Sequence, residues 1–225
     1  MTGAFKWVTP SDYFLGIQVK GRLHRVSYVY RCTKELHEFA SRFIGSNGGP
    51  PATSGSQQYS MFPDLYEYHG PKPQIRQFQS IGEIVDFVSD AIKKLIDTGE
   101  CSCSDIAILY TMKSTEDNPG IHIPHMVGKA LEKRGILHNW VSEDYRSKKS
   151  YDITTDSVTV STIYSAKGFD YSRVFLIGLD HIDPGKPLED QVRSLVYVGI
   201  TRARYELFIP YVTNTDLIRR LGNCL

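Results

Sequence analysis

Three short segments place cations beside hydroxyl, aromatic or acidic side chains where an apolar run ends. The first, Thr162-Ile163-Tyr164-Ser165-Ala166-Lys167-Gly168-Phe169-Asp170-Tyr171, continues the run Val158 to Thr162. A lysine, a glycine and an acid beyond a strand end can line a nucleotide or phosphate site; the plain alternative is a β-turn-β connection with a solvated lysine. The second, Thr201-Arg202-Ala203-Arg204, sits where an apolar helical stretch hands over to a strand. Arginine there can reach a phosphate with a fixed fork of donors. Alternatively Arg193, Arg202 and Arg204 crowd a helix end and complement its macrodipole. The third, Tyr30-Arg31-Cys32-Thr33, lies at another strand-to-helix junction, where a ring stacks a base and an arginine meets a phosphate, or where Thr33 caps a helix over a packed Tyr30.

Other signals carry less. Cys101-Ser102-Cys103 has no second Cys or His pair at zinc-finger spacing, and His122 and His125 bracket a proline with no glutamate between them, unlike HExxH. They read as surface or loop residues, and no metal site is expected. Gly120 to Lys129 ends in Gly-Lys, but Ala130 replaces the magnesium-binding hydroxyl, the glycines are too far apart and no strand feeds it. The sequence contains no Walker A loop.

These segments need a scaffold. The chain has 225 residues, 26 Lys plus Arg against 25 Asp plus Glu, 41% hydrophobic and 12% aromatic residues. That composition excludes global disorder and suffices for a real core, and any basic surface must be local. No run approaches a membrane span and the first residues lack an apolar signal region. Four scattered cysteines do not make a disulfide framework, which points to a reducing, cytoplasmic setting. Residues 45 to 74 include the Gly/Pro/Ser-rich GSNGGPPATSGSQQYS and read as a flexible loop, and Ser142 to Asp156 as a short connector.

Around these loops, strand and helix patterns alternate. Strands are expected at Val26–Tyr30, Gln74–Phe78, Asp105–Tyr110, Ile136–Val141, Val158–Thr162, Val174–Gly178 and Glu206–Val212. Helices are expected at Thr33–Ile44, from the Ser80/Glu83 capping box to Gly99, at Ile123–Arg134 and at Leu188–Arg202. Apolar strands separated by helices give an α/β class with a parallel sheet covered on both faces, whose sites are expected at the carboxyl ends of strands.

Together the three segments resemble the C-terminal, second RecA-like motor domain of UvrD/Rep-type superfamily 1 DNA helicases. That family's motif V, Thr-x-His-x-x-Lys-Gly-Leu-Glu-Phe, reads here TIYSAKGFDY. Motif VI, Tyr-Val-Gly/Ala-x-Thr-Arg-Ala, is present as YVGITRA, and motif IV, Asn-Tyr-Arg-Ser-Thr-x-x-Ile, appears as VYRCTKEL. EIVDFVSDAIKKLIDTGECSCSDIAILY also matches the family's intervening helix and strand. Tyr164 stands for the usual His, Asp170 for Glu, and Val29 and Cys32 for Asn and Ser. The spacer from Val141 to Val158 is too short for the large inserted subdomain of many members, so the resemblance is to the compact branch.

The resemblance covers roughly residues 15 to 212. It implies a RecA-like parallel sheet with helices on both faces over residues 26–225, with 1–25 as a connecting segment from a first motor domain. It implies one half of an ATP-dependent DNA helicase or translocase, inactive without the Walker A and B domain. That N-terminal RecA-like domain of the same polypeptide would hold magnesium, so this chain alone is expected to bind neither ATP nor magnesium stably. Carried over residue by residue, Tyr30 stacks on adenine, Arg31 and Arg202 contact the γ-phosphate, Asp170 meets the ribose or orients the site, Lys167 and Gly168 shape the turn, and Thr162 and Tyr164 face single-stranded DNA, with RNA an open alternative. The competing reading is a non-catalytic partner-binding module of the same fold.

Overall fold

The computed structural model describes residues 32–45, 68–111, 122–141, 155–182 and 190–225, together with the backbone of short strand pairs at Tyr13–Phe14 with Ile17–Gln18 and Ser114–Thr115 with Asn118–His122. The expected strand Val26–Tyr30, most of the 45–74 loop and most of the 142–156 connector lie outside them.

The frame is one six-stranded sheet: β1 (Gln74–Gln77), β2 (Ile106–Tyr110), β3 (His138–Val141), β4 (Val158–Thr162), β5 (Tyr171–Ile177) and β6 (Ala203–Tyr211), in spatial order β1-β6-β5-β2-β4-β3. Every pairing in it is parallel. Among the described residues five helices cover it: α1 (Lys34–Gly45), α2 (Ile81–Asp97), α3 (Ile123–Lys133), α4 (Asp190–Ile200) and α5 (Asp216–Gly222). The α/β class follows from strands too apolar to face water: all five residues of β2 and of β4 are buried. Side chains alternate across β2. Ile106, Ile108 and Tyr110 pack with α2 and α3, whereas Ala107 and Leu109 pack with α1, α4 and α5.

Local chemistry sets the helix ends. Ser80 Oγ accepts from the Glu83 N–H at 3.2 Å, and the Glu83 carboxylate accepts from the Gln79 N–H at 2.8 Å, one residue before the N-cap. Gly99 and Gly135, just past α2 and α3, take positive φ of 69° and 68°. A strand, Asn118–His122, does lead into α3, contrary to the sequence expectation, but it belongs to a two-stranded antiparallel pair. Gly128 and Lys129 lie within α3, where a β-carbon on Gly128 would fall 2.9 Å from His138 Nε2. That glycine admits a side chain from β3 and cradles no phosphate.

Three boundaries move. The helix expected at 188–202 ends at Ile200, so Arg193 lies in its first turn, Arg202 in the following turn and Arg204 in β6; no basic residue complements its last turn. The strand expected from Val174 begins at Tyr171, and that expected from Glu206 begins at Ala203, where one extra residue bulges between Ala203 and Glu206 against β5. The short helix α5 was not expected; Thr215 caps it, and Leu217, Ile218 and Leu221 bury its inner face.

Buried charge staples the sheet at both edges. At the amino edge Arg173 bonds Glu206 and Glu100, each at 3.1 Å. Burial lowers its pKa, the bond to Glu206 raises it, and the balance is upward, so the guanidinium stays charged. At the carboxyl edge Asp180 Oδ2 accepts from the Val212 and Thr213 N–H groups at 2.7 and 3.0 Å. Removing that acceptor leaves two amides short of a partner. Asp180→Ala is therefore expected to cost about 1–3 kcal/mol, read as a lower urea midpoint with unchanged slope, and Asp180→Asn less. An unchanged midpoint for Asp180→Ala would mean that water replaces the carboxylate.

Candidate nucleotide and nucleic-acid site

The residues singled out in TIYSAKGFDY occupy the connection from β4 to β5. It is not a β-turn-β unit, because β2 lies between the two strands. Thr162 and Ile177 both pair with Tyr110, and Tyr171 is six residues before Ile177. At about 3.3 Å per strand residue the connection descends roughly 20 Å, from the carboxyl edge to the amino edge, across the face shared with α1 and α4.

The upper end is a tight turn. The Thr162 hydroxyl accepts from the Ser165 N–H and donates to Ser165 Oγ, both at 3.1 Å, and the Ala166 N–H donates to the Thr162 carbonyl at 3.1 Å. Thr162 is thus buried as a turn cap, at 8% exposure, and its hydroxyl is engaged within the chain. Tyr164, by contrast, is 62% exposed. Ile163 and Ala166 anchor the turn in the core. A β-carbon on Gly199 of α4 would lie 3.1 Å from Ile163 Cδ1 and 3.3 Å from the Leu176 methyls, so glycine there lets the helix pack closely without displacing those side chains. Lys167 is exposed, and Gly168 at φ 97° turns the chain downward.

The lower end is held by Arg202. Its Nη1 donates to the Phe169 carbonyl at 2.9 Å, its Nε to the Val198 carbonyl at 3.1 Å and its Nη2 to Thr201 Oγ1 at 3.4 Å. Asp170 Oδ1 lies 3.4 Å from Nη1, and the Tyr171 N–H donates to the Arg202 carbonyl at 2.9 Å. Arg202 is only 7% exposed. The sequence gives no sign of this inward anchoring, since Phe169 is distant in the chain.

Candidate residues therefore divide between two edges, and the expectation that all lie at carboxyl ends is corrected. Thr162 and Tyr164 are at the carboxyl end of β4; Asp170 and Arg202 precede β5 and β6 at the amino edge. Tyr30 and Arg31 lie outside the described residues, but their chain neighbour Thr33 is at the amino edge too, its N–H donating to the Arg204 carbonyl at 3.0 Å. The Thr33 hydroxyl is buried without a partner, so it does not cap α1 as the sequence suggested. A cavity of about 410 Å³ opens there, lined by Cys32, Thr33, Ser172 and Arg204 among others. Among the described residues no three His, Cys, Asp or Glu side chains cluster as a metal would require. No described helix is long and apolar enough to cross a membrane.

Comparison with known proteins finds relatives for part of the sequence and for the fold. Residues 137–214, from β3 past the end of β6, match the UvrD-like helicase C-terminal domain. The chain is 37% identical to DNA helicase II of Escherichia coli (strain K12) over 74 residues, covering 29% of this chain and 10% of that protein. It is 41% identical over 91 residues to the ATP-dependent DNA helicase Rep of Buchnera aphidicola subsp. Schizaphis graminum (strain Sg), 37% of this chain and 14% of that protein. The matched part spans 10% and 14% of the length of these two relatives, far less than the whole of either. In fold it is similar to the C-terminal domain of a possible DNA helicase from Lactobacillus plantarum WCFS1, with a TM-score of 0.51 at 18% identity over 86% of this chain and 94% of that one. The fold is an α/β domain on one parallel sheet, similar in architecture to that helicase C-terminal domain. Within it, residues 137–214 are similar to the C-terminal domain of the UvrD-like helicases.

Because Arg202 closes the lower end, Arg202→Lys is expected to leave the Val198 or Phe169 carbonyl unpaired and to destabilise the domain by about 1–3 kcal/mol. Gly168→Ala, strained at φ 97° though the space is open, is expected to cost about 1–2 kcal/mol. Urea unfolding followed by circular dichroism measures both, and wild-type midpoints would contradict the arrangement.

Proposed function

We propose that this chain is the C-terminal motor half of an ATP-dependent DNA helicase or translocase. It would supply γ-phosphate-sensing arginines and single-stranded DNA contacts to a first RecA-like domain that carries the phosphate loop and holds magnesium. The observation that carries the reading is the β4–β5 crossover, whose upper turn with exposed Tyr164 and lower end at Asp170 are one continuous segment closed by Arg202. The match over residues 137–214 supports it, since the segment holds both ends.

The roles follow from chemistry. Phosphoryl transfer needs the γ-phosphate oxygens neutralised, and a planar guanidinium does this bidentately. Arg31 and Arg202 take that part, and Tyr30 stacks on the adenine. Asp170 orients Arg202 when no phosphate is there; an arriving phosphate competes with that carboxylate and with the long Thr201 contact. Freeing Asp170 lets it turn to the ribose. Lys167 and Gly168 shape the turn, and Tyr164 offers its exposed ring to a base. Thr162, its hydroxyl engaged within the turn, acts by holding Tyr164 out. When γ-phosphate leaves, Arg202 returns to Asp170 and the crossover relaxes, which changes the grip on the strand.

The test is steady-state phosphate release by this chain joined to a phosphate-loop motor domain, with and without single-stranded DNA. DNA-stimulated turnover is expected in the joined protein and none in the isolated chain. Arg31→Ala should cut kcat by roughly 10²–10⁴, since two arginines share an effect of about 10³–10⁵, with a small change in nucleotide KM. Turnover by the isolated chain, or an unchanged kcat in folded Arg31→Ala, would contradict the proposal.

A further inference from the structure

Trp140 is in β3, at the edge of the sheet, in register with Val160 of β4. Its indole is 44% exposed, yet it is not loose. Nε1 donates to Tyr110 Oη at 2.8 Å, and His122, at the start of α3, packs against the indole with ring centroids 5.6 Å apart at 75°. Tyr110 is the last residue of β2 and fully buried. The polar edge of the indole is thus satisfied from below and the ring is fixed, while much of its surface faces solvent. Exposure of a single indole is ordinary; what distinguishes Trp140 is that a hydrogen bond and a ring contact hold it in one orientation. An aromatic whose hydrogen bond is met and whose body is held open is what a flat ligand stacks on.

Among the described residues the other exposed aromatic near this edge is Tyr164, past the end of β4, the neighbour of β3. Trp140 belongs to the face covered by α3, as Val160 does, and the Tyr164 turn to the opposite face, so the two aromatics lie on either side of the sheet toward the carboxyl end of β4. Bases stack on successive aromatics without sequence preference, because every base has a π-face. We infer that Trp140 is a second base-stacking platform of this domain, working with Tyr164 on one strand of single-stranded DNA. This rests on the proposed function only in taking Tyr164 to face that strand.

The experiment uses the full chain with Trp7→Phe, which leaves Trp140 as its one tryptophan, and a dye-labelled oligo(dT). Anisotropy reports binding and indole emission reports stacking. Expected are quenching of Trp140 emission on binding, an affinity lowered roughly 5- to 150-fold by Trp140→Leu, the range for one lost base–aromatic stack, and most of that affinity restored in Trp140→Phe. Phenylalanine keeps a stacking face but cannot donate to Tyr110, so a purely structural role would weaken both variants alike. Equal weakening, or binding without quenching, overturns the assignment of Trp140 and leaves Tyr164 standing. If Tyr164→Ala binds like the parent while Trp140→Leu does not, the reading of the turn fails instead. No binding at low salt overturns both.

Discussion

The guanidinium of Arg202 fixes the lower end of the one segment that spans the sheet from edge to edge. It bonds the Val198 carbonyl in the last turn of α4 and the Phe169 carbonyl at the end of the crossover, with Asp170 beside it. A buried cation requires such partners, because an unpaired one would cost several kcal/mol in desolvation. The helix end, the crossover and the starts of β5 and β6 are therefore joined at one point. The upper end is fixed separately by Thr162 with Ser165, and the middle by Ile163 and Ala166 beneath the glycine face of α4. A shift at either end meets close packing in between, which transmits it instead of absorbing it.

This arrangement gives the proposed coupling a physical path. A phosphate at Arg202 and a base at Tyr164 would not touch, since they lie at opposite edges. Each would bias the same short, pinned crossover, and coupling between sites needs such a shared element.

Much of this was legible in the sequence because it is local. Parallel strands follow from apolar runs such as IAILY and VTVST, and α2 follows from Ser80, Glu83 and Gly99. The candidate turn could be located from Lys167, Gly168 and Asp170. What escaped depends on distance. Arg202 pairs with Phe169, and Arg173 with Glu100, across tens of residues, so neither inward-facing arginine could be told from a solvated one. The division of candidate residues between two edges is a consequence of strand order, with β2 inserted between β4 and β5, which periodicity does not encode. Helix α5 was within reach: Thr215 before Asp216, with Leu217, Ile218 and Leu221 on one face, is a short but readable signal.

The central claim is that Arg202 and the crossover's lower end act as one unit. A double-mutant cycle tests it most directly: urea stability of the wild type, Arg202→Lys, Asp170→Asn and the double variant. Residues in one network show interaction energies of about 0.5–3 kcal/mol, and a value in that range is expected, with the double variant less destabilised than the sum of the singles. Strict additivity would contradict it, leaving Arg202 a buried charge that holds α4 but does not govern the crossover.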